Sequence, residues 1–291
     1  MKLDTINQNR LIEIQSGGEF YGLEDYQINF IVDIERKTSF VGLDVLEVGG
    51  NLPQDFVFNI LKVNSWMAIE ELEFWKATDE KYTNPILDSH KSVSSFLVFQ
   101  NTQFDKYIVV TDGIENLPPS LYKQFDLVFS VATFQHIIRF GPALFSMYHA
   151  LRPSGQLIAK VGPIWTAPNG HLLTSVVDEI GREISSTTEL IPPWSHLVWS
   201  RPEFYVEMCK RIDQRSAGEI VFRAFDSKRI NRLWFDDYIS YLRSSPFEGN
   251  GKIVKHITQS MPDGLQKHLA RQFPRYSHFD VYGFTLFLQR A

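Results

Sequence analysis

From about residue 41 the chain alternates short apolar runs, most of them closed by glycine, with amphipathic stretches. The run "LDVLEV" (43–48) ends at Gly49 and Gly50, as a strand buried on both faces does. "PQDFVFNIL" (53–61) suits a helix with Pro53 at its first position, where a backbone N–H is not required. "VNSWMAIE" (63–70), "DKYIVVTD" (105–112), "FDLVFSV" (125–131) and "GQLIAKV" (155–161) read as four further strands. "ALFSMYHAL" (143–151) is an amphipathic helix that stops at "RPSG". Strands and helices in this order predict an α/β fold with a doubly wound parallel sheet.

Two regions break the rhythm. Residues 1–40 form a polar helical preface whose pieces "EFYGLEDY" and "NFIVDI" carry enough apolar side chains to pack onto something. Residues 163–228, rich in Pro, Trp and His, look irregular. An unstructured loop of that length is improbable in a compact domain, so this stretch is expected to be an insertion lying over the sheet. Order returns with a helix over 230–244, a strand over 251–259, a helix over 264–273 and a strand over 281–290. The division expected is a preface (1–40) and one domain (41–291) interrupted by the insertion 163–228.

Composition narrows the function. The 291 residues are 44% hydrophobic, enough for a full core, and the net charge is −5 with no Lys/Arg run longer than a pair. A nucleic-acid partner is therefore not expected. The single cysteine, Cys209, excludes an internal disulfide and a multi-cysteine metal cage. No stretch approaches the roughly 18 uninterrupted apolar residues of a membrane span, and the first residues lack the apolar core of a secretory signal. A soluble, cytoplasmic protein is expected.

In an open α/β sheet, ligands lie beyond the carboxyl ends of the strands. The residues there are Glu47, Gly49 and Gly50, then Glu70, then Asp112, then Ser130 to Phe134. Gly49 permits close backbone approach, a carboxylate at Glu70 suits a pair of ribose hydroxyls, and Asp112 suits an adenine amino group. Each also has a plainer reading, since a Gly-Gly pair after a strand is often only a turn.

"VLEVGGNLP", "WMAIEE", "TDGIENLP", "FDLVFSVATFQHI" and "HALRPSGQLI" follow, in order, the pattern of class I S-adenosylmethionine-dependent methyltransferases, which the chain resembles over 41–162 by motif and 230–290 by layout. The resemblance implies a Rossmann-like, seven-stranded sheet with its last strand antiparallel, and S-adenosyl-L-methionine as cofactor. It implies that Glu47 to Asn51 line the methionine part, Glu70 holds the ribose, Asp112 and Gly113 lie near the adenine, and Ser130 to Thr133 form the floor. The family's first motif, acid-x-Gly-x-Gly-x-Gly, is only half kept, with Asn51 and Pro53 at its second and third glycines. The cofactor has no pyrophosphate to cradle, and Asn tolerates a left-handed backbone, so the loop can still serve.

The insertion follows the fifth strand and is the natural place for an acceptor. Trp165, Asn169 and Trp194 suit the flat C–H face and the hydroxyl rim of a sugar, or else the tryptophans anchor the insertion's own core. Trp199 belongs to the same group. Transfer to a hydroxyl is helped by a general base. His171, nine residues after Gly162, is the first candidate, His196 the second and His136 the third, each with a structural role as its alternative. Asp236 and Asp237 read as a solvated helix face, and no metal is expected. "GPIW…NGH…PPWSHL…INRLWFDDY" resembles bacterial methyltransferases encoded with surface-polysaccharide glycosyltransferases, which implies a carbohydrate or sugar-nucleotide acceptor. Another small-molecule oxygen or nitrogen, or a non-catalytic binding module, are the alternatives. The oligomeric state is not legible.

Overall fold

The computed structural model describes residues 8–50, 52–70, 92–93 and 106–291. Its centre is one sheet, built from β1 (Asp44–Val48), β2 (Ser65–Ile69), β3 (Ser92–Val93), β4 (Tyr107–Val110), β5 (Phe125–Val131), β6 (Leu151–Val161), β9 (Gly251–His256) and β10 (Gly283–Gln289). A separate hairpin joins β7 (Val176–Val177) to β8 (Glu183–Ile184). The sheet order is β3-β4-β2-β1-β5-β6-β10-β9. Contacts from β3 through β6 are parallel, and β10 runs antiparallel to both neighbours. The seven expected strands are all present, the antiparallel last strand included, with a two-residue eighth strand added at one edge.

Period-two alternation divides the sheet between two cores. Leu46, Val48, Met67 and Ile69 face one side, packed under the helices Phe140–Ala150 and Phe235–Arg243. Val45, Trp66, Ala68, Leu127 and Phe129 face the other, under α1 (Gln8–Phe20) and α2 (Asp25–Glu35). The preface is thus one of the layers covering the sheet, with Ile14, Phe30, Ile31 and Ile34 buried in the second core. Arg10 fastens it: the guanidinium donates to Ile60 O and Leu61 O at the end of a π-helical stretch (Phe56–Leu61) and pairs with Glu13 and Glu35. That stretch replaces the regular helix expected over 53–61.

The insertion is not irregular. It holds the β7–β8 hairpin, a helical turn at Ser195–Val198, and helices Arg201–Cys209 and Gln214–Val221, around one apolar cluster of its own and a second shared with residues 230–279. Ser200 and Glu203 form a reciprocal cap on the first of these helices, and Asp213 accepts from Ser216 N at the start of the second (2.8 Å). Among the described residues no helix is long and apolar enough to cross a membrane.

Candidate functional site

From β1 the chain moves outward through β2 to β4, then returns to pair β5 on the opposite side of β1. The reversal leaves a crevice at the carboxyl ends of β1 and β5, where open α/β sheets bind ligands. A cavity of about 380 Å³ lies there. Gly49 and Gly50 after β1, Glu70 after β2, Asp112 and Gly113 after β4, and Ala132, Thr133 and His136 after β5 contribute to it. Ile69, Ile114, Val131 and Ile137 add apolar wall, and Tyr21, Gly22, Leu23, Tyr26 and Gln27 close it from the α1–α2 turn.

The turn after β1 is built for close approach. Gly49 has φ +67°, and a Cβ there would lie 1.9 Å from Thr133 Cγ2. Thr133 Oγ1 donates to Gly49 O (2.8 Å), which clips the β1 and β5 ends together. Ala132 also has a positive φ, +52°, a costly geometry for a residue with a Cβ. It is held by Ala132 N donating to Lys160 O and by Gln135 Nε2 donating to Ala132 O, both at 2.7 Å.

Glu47 is buried beneath this turn and does not line the cavity. Its Oε2 accepts from Leu52 N (3.0 Å) and the Trp66 indole (2.8 Å), so the carboxyl shapes the loop from below. Burial pushes its pKa up to about 8, against those two donors and reinforced by the charge of Glu70. Ser130 is likewise beneath the site, donating to Val48 O (2.7 Å). Glu70 is 6% exposed, a carboxylate at the cavity wall. Asp112 Oδ1 accepts from Gly113 N and Asn116 Nδ2, both at 2.8 Å, which fixes its orientation. Of the positions marked in sequence, Gly49, Gly50, Glu70, Asp112 and Gly113 meet in one cavity, Glu47 and Ser130 support it, and Asn51 lies outside the described residues.

The insertion residues are elsewhere. His171 and His196 are 2% and 3% exposed, and neither lines the cavity. His171 Nδ1 accepts from Leu173 N (3.2 Å), and His196 Nε2 donates to Trp165 O (2.8 Å). Burial drives their pKa values down to about 4 and about 3. Trp165 and Trp194 are buried in the cluster that also holds Trp234 and Tyr276. The Trp194 indole donates to Thr166 O (3.1 Å), and Trp199 packs on Phe204. Asn169 uses its backbone carbonyl to accept from Leu172 N and is not at the cavity either. Trp165 and Trp194 pack the insertion onto Trp234, Leu269, Tyr276 and Phe279, because large rings gain most from burial. Nor are Asp236 and Asp237 a solvated face. Asp236 accepts from Ser277 and His278, and Asp237 caps its own helix and accepts from Tyr276.

His136 is the candidate histidine that does reach the cavity. Its Nδ1 stands 2.7 Å from Arg229 O, which can only accept, so the proton is on Nδ1 and the lone pair on Nε2. Gln135 Nε2 lies 3.3 Å from that lone pair. Burial, with a smaller push from the Arg229 cation, takes the pKa down to about 4, so the ring is neutral near pH 7. Its signal in sequence was its position just past a strand end. The wall from Tyr21 to Gln27 had no such signal.

No family model and no curated protein matches the chain. Among solved structures it is similar to an S-adenosylmethionine-dependent methyltransferase from Mesorhizobium loti, at 12% identity over 87% of this chain and 93% of that one, with a TM-score of 0.42. It is also similar to phosphoethanolamine N-methyltransferase 2 of Haemonchus contortus in complex with S-adenosyl-L-methionine, at 11% identity over 96% of this chain and 56% of that one, TM-score 0.42. A third similar chain is an arsenic(III) S-adenosylmethionine methyltransferase from Chlamydomonas reinhardtii, at 15% identity over 86% and 64%, TM-score 0.38. Likeness at this level leaves function to be argued from the site.

Proposed function

We propose that the chain is an S-adenosylmethionine-dependent methyltransferase acting on an oxygen of a small or carbohydrate-like acceptor. One observation carries this reading: the residues that make the chain resemble that family at Gly49–Gly50, Glu70 and Asp112–Gly113 all meet in one cavity at the switch in strand order. The cavity's volume falls within the roughly 300–1,000 Å³ usual for small-molecule sites. Its lining suits the cofactor: carboxylates at two strand ends for hydroxyl and amino donors, a glycine turn without side-chain bulk, and apolar wall for a flat base.

When bound, the cofactor supplies a methyl group already activated for displacement, so the protein's task is alignment. Glu70 accepts from the ribose hydroxyls, and Asp112 with Gly113 borders the base. The Gly49–Gly50 turn, above the buried Glu47, receives the amino-acid end. His136 presents a neutral ring to the acceptor side. Nε2, which Gln135 Nε2 approaches at 3.3 Å, would accept the acceptor's O–H in place of that amide, orient the oxygen and take its proton. This reassigns to His136 the role first expected of His171.

Calorimetry with S-adenosylhomocysteine tests the reading. The wild-type chain should bind it, and Glu70→Ala should weaken binding by ~10-fold or more, as for hydrogen bonds to a charged group. No heat of binding at millimolar ligand would reject the proposal. His136→Ala should leave that affinity within about twofold while lowering turnover by ~10²-fold.

A further inference from the structure

Where the insertion ends, two arginines converge on one hydroxyl. Thr174 Oγ1 accepts from Arg223 Nη1 (2.8 Å) and from Arg229 Nη1 (2.7 Å). Arg223 also donates to Ser175 O (3.0 Å) and pairs with Glu219. Two guanidinium groups meeting at a neutral oxygen repel each other. Burial and the Arg223 charge both lower the Arg229 pKa. Glu219 balances one cation, and the trio keeps a net positive charge. Thr174, Arg223 and Arg229 are each partly exposed.

Its position matters as much as its charge. The carbonyl of Arg229 is the one that accepts from His136 Nδ1. Asn231 stitches the same segment to the cavity wall, with its N donating to Gln135 O and its side-chain amide to Phe134 O and Ile137 O. The paired arginines are thus anchored to the segment that presents His136.

We propose that Arg229 and Arg223, organised by Thr174, form an oxyanion subsite that takes a phosphoryl or carboxylate group, and on the methyltransferase reading that group belongs to the acceptor. Planar guanidinium forks match the geometry of both groups, and an anion between them would relieve the repulsion. The acceptor class is then a small anionic molecule, a phosphorylated or carboxylated sugar included.

Inorganic phosphate and acetate are the probes, titrated at constant ionic strength against chloride with the melting temperature and ³¹P line width as readouts. Wild-type protein should show saturable phosphate or acetate binding, and the tighter of the two names the group. Arg229→Gln should weaken it by ~10-fold or more, with S-adenosylhomocysteine affinity within about twofold of wild type. Arg229→Lys and Arg223→Gln serve if that variant does not fold, and each should also bind the anion more weakly because the fork is lost. No saturable binding of either anion to the wild type, or equal binding by folded variants, would overturn the subsite. Anion binding is read without cofactor, so its failure is distinct from a failure to bind S-adenosylhomocysteine.

Discussion

Gly49 shows how much of the site hangs on one absent carbon. Gly42 and Gly49 have similar backbone angles, φ +75° and +67°, but a Cβ at Gly42 would meet nothing within 4 Å, whereas one at Gly49 would strike Thr133. The pair therefore separates backbone strain from contact. Gly42→Ala should cost only the left-handed penalty, about 1 kcal/mol. Gly49→Ala should cost at least ~2 kcal/mol more, because Thr133 must leave Gly49 O or the β1 turn must open. Urea denaturation of the two variants measures the difference, and equal losses would show that the turn adjusts freely. At this scale the strand-end positions were legible because burial of parallel strands forces them to one edge. Glu47 was misread because a carboxylate beside a glycine turn looks ligand-facing in sequence. Alternation along β1 instead points it into the same face as Val45, beneath the loop.

Among the elements, the preface has more to do with the site than its polar sequence suggests. Tyr21, Tyr26 and Gln27 form a cavity wall that stands where it does because α1 is bound to the sheet layer. Arg10 makes that link through carbonyls of the π-helical stretch, groups left without helical partners where a helix ends. Arg10→Met should lower stability by ~2 kcal/mol and weaken S-adenosylhomocysteine binding, since the loosened helix takes the wall with it. Limited proteolysis, expected to cut the variant first within 8–35, checks the cause; an unchanged cleavage pattern would refute it. The central strands were readable as continuous apolar runs, the first of them closed by glycine. The insertion was not, because its Pro, Trp and His content masked short helices. Their capping pairs, Ser200 with Glu203 and Asp213 with Ser216, were present in the sequence and mark both starts.

For the molecule as a whole, buried titratable groups set the response to pH. His136, His171 and His196 have folded pKa values of about 4, 4 and 3, below the usual histidine value of 6.5. Above pH 6.5 they are neutral whether folded or not, and they leave stability unchanged. As pH falls through 6.5 the unfolded chain binds up to three protons that the folded chain refuses, so stability drops until the folded values are reached. Each histidine contributes on the order of 1 kcal/mol per pH unit in that window. Glu47 works in the opposite sense: its folded pKa is raised to about 8, so its contribution is complete below the unfolded value of 4.5 and is lost as pH rises toward 8. Between pH 4.5 and 6.5 three histidines oppose one glutamate, and the histidines prevail. Above 6.5 Glu47 acts alone among these four and the slope reverses. Urea midpoints should accordingly peak near pH 6.5, falling steeply toward pH 5 and gently toward pH 8. His196→Phe should flatten the acid side by about half, since it leaves two histidines against Glu47 where there were three. An acid limb as steep in that variant as in the wild type would show that groups other than these histidines drive it.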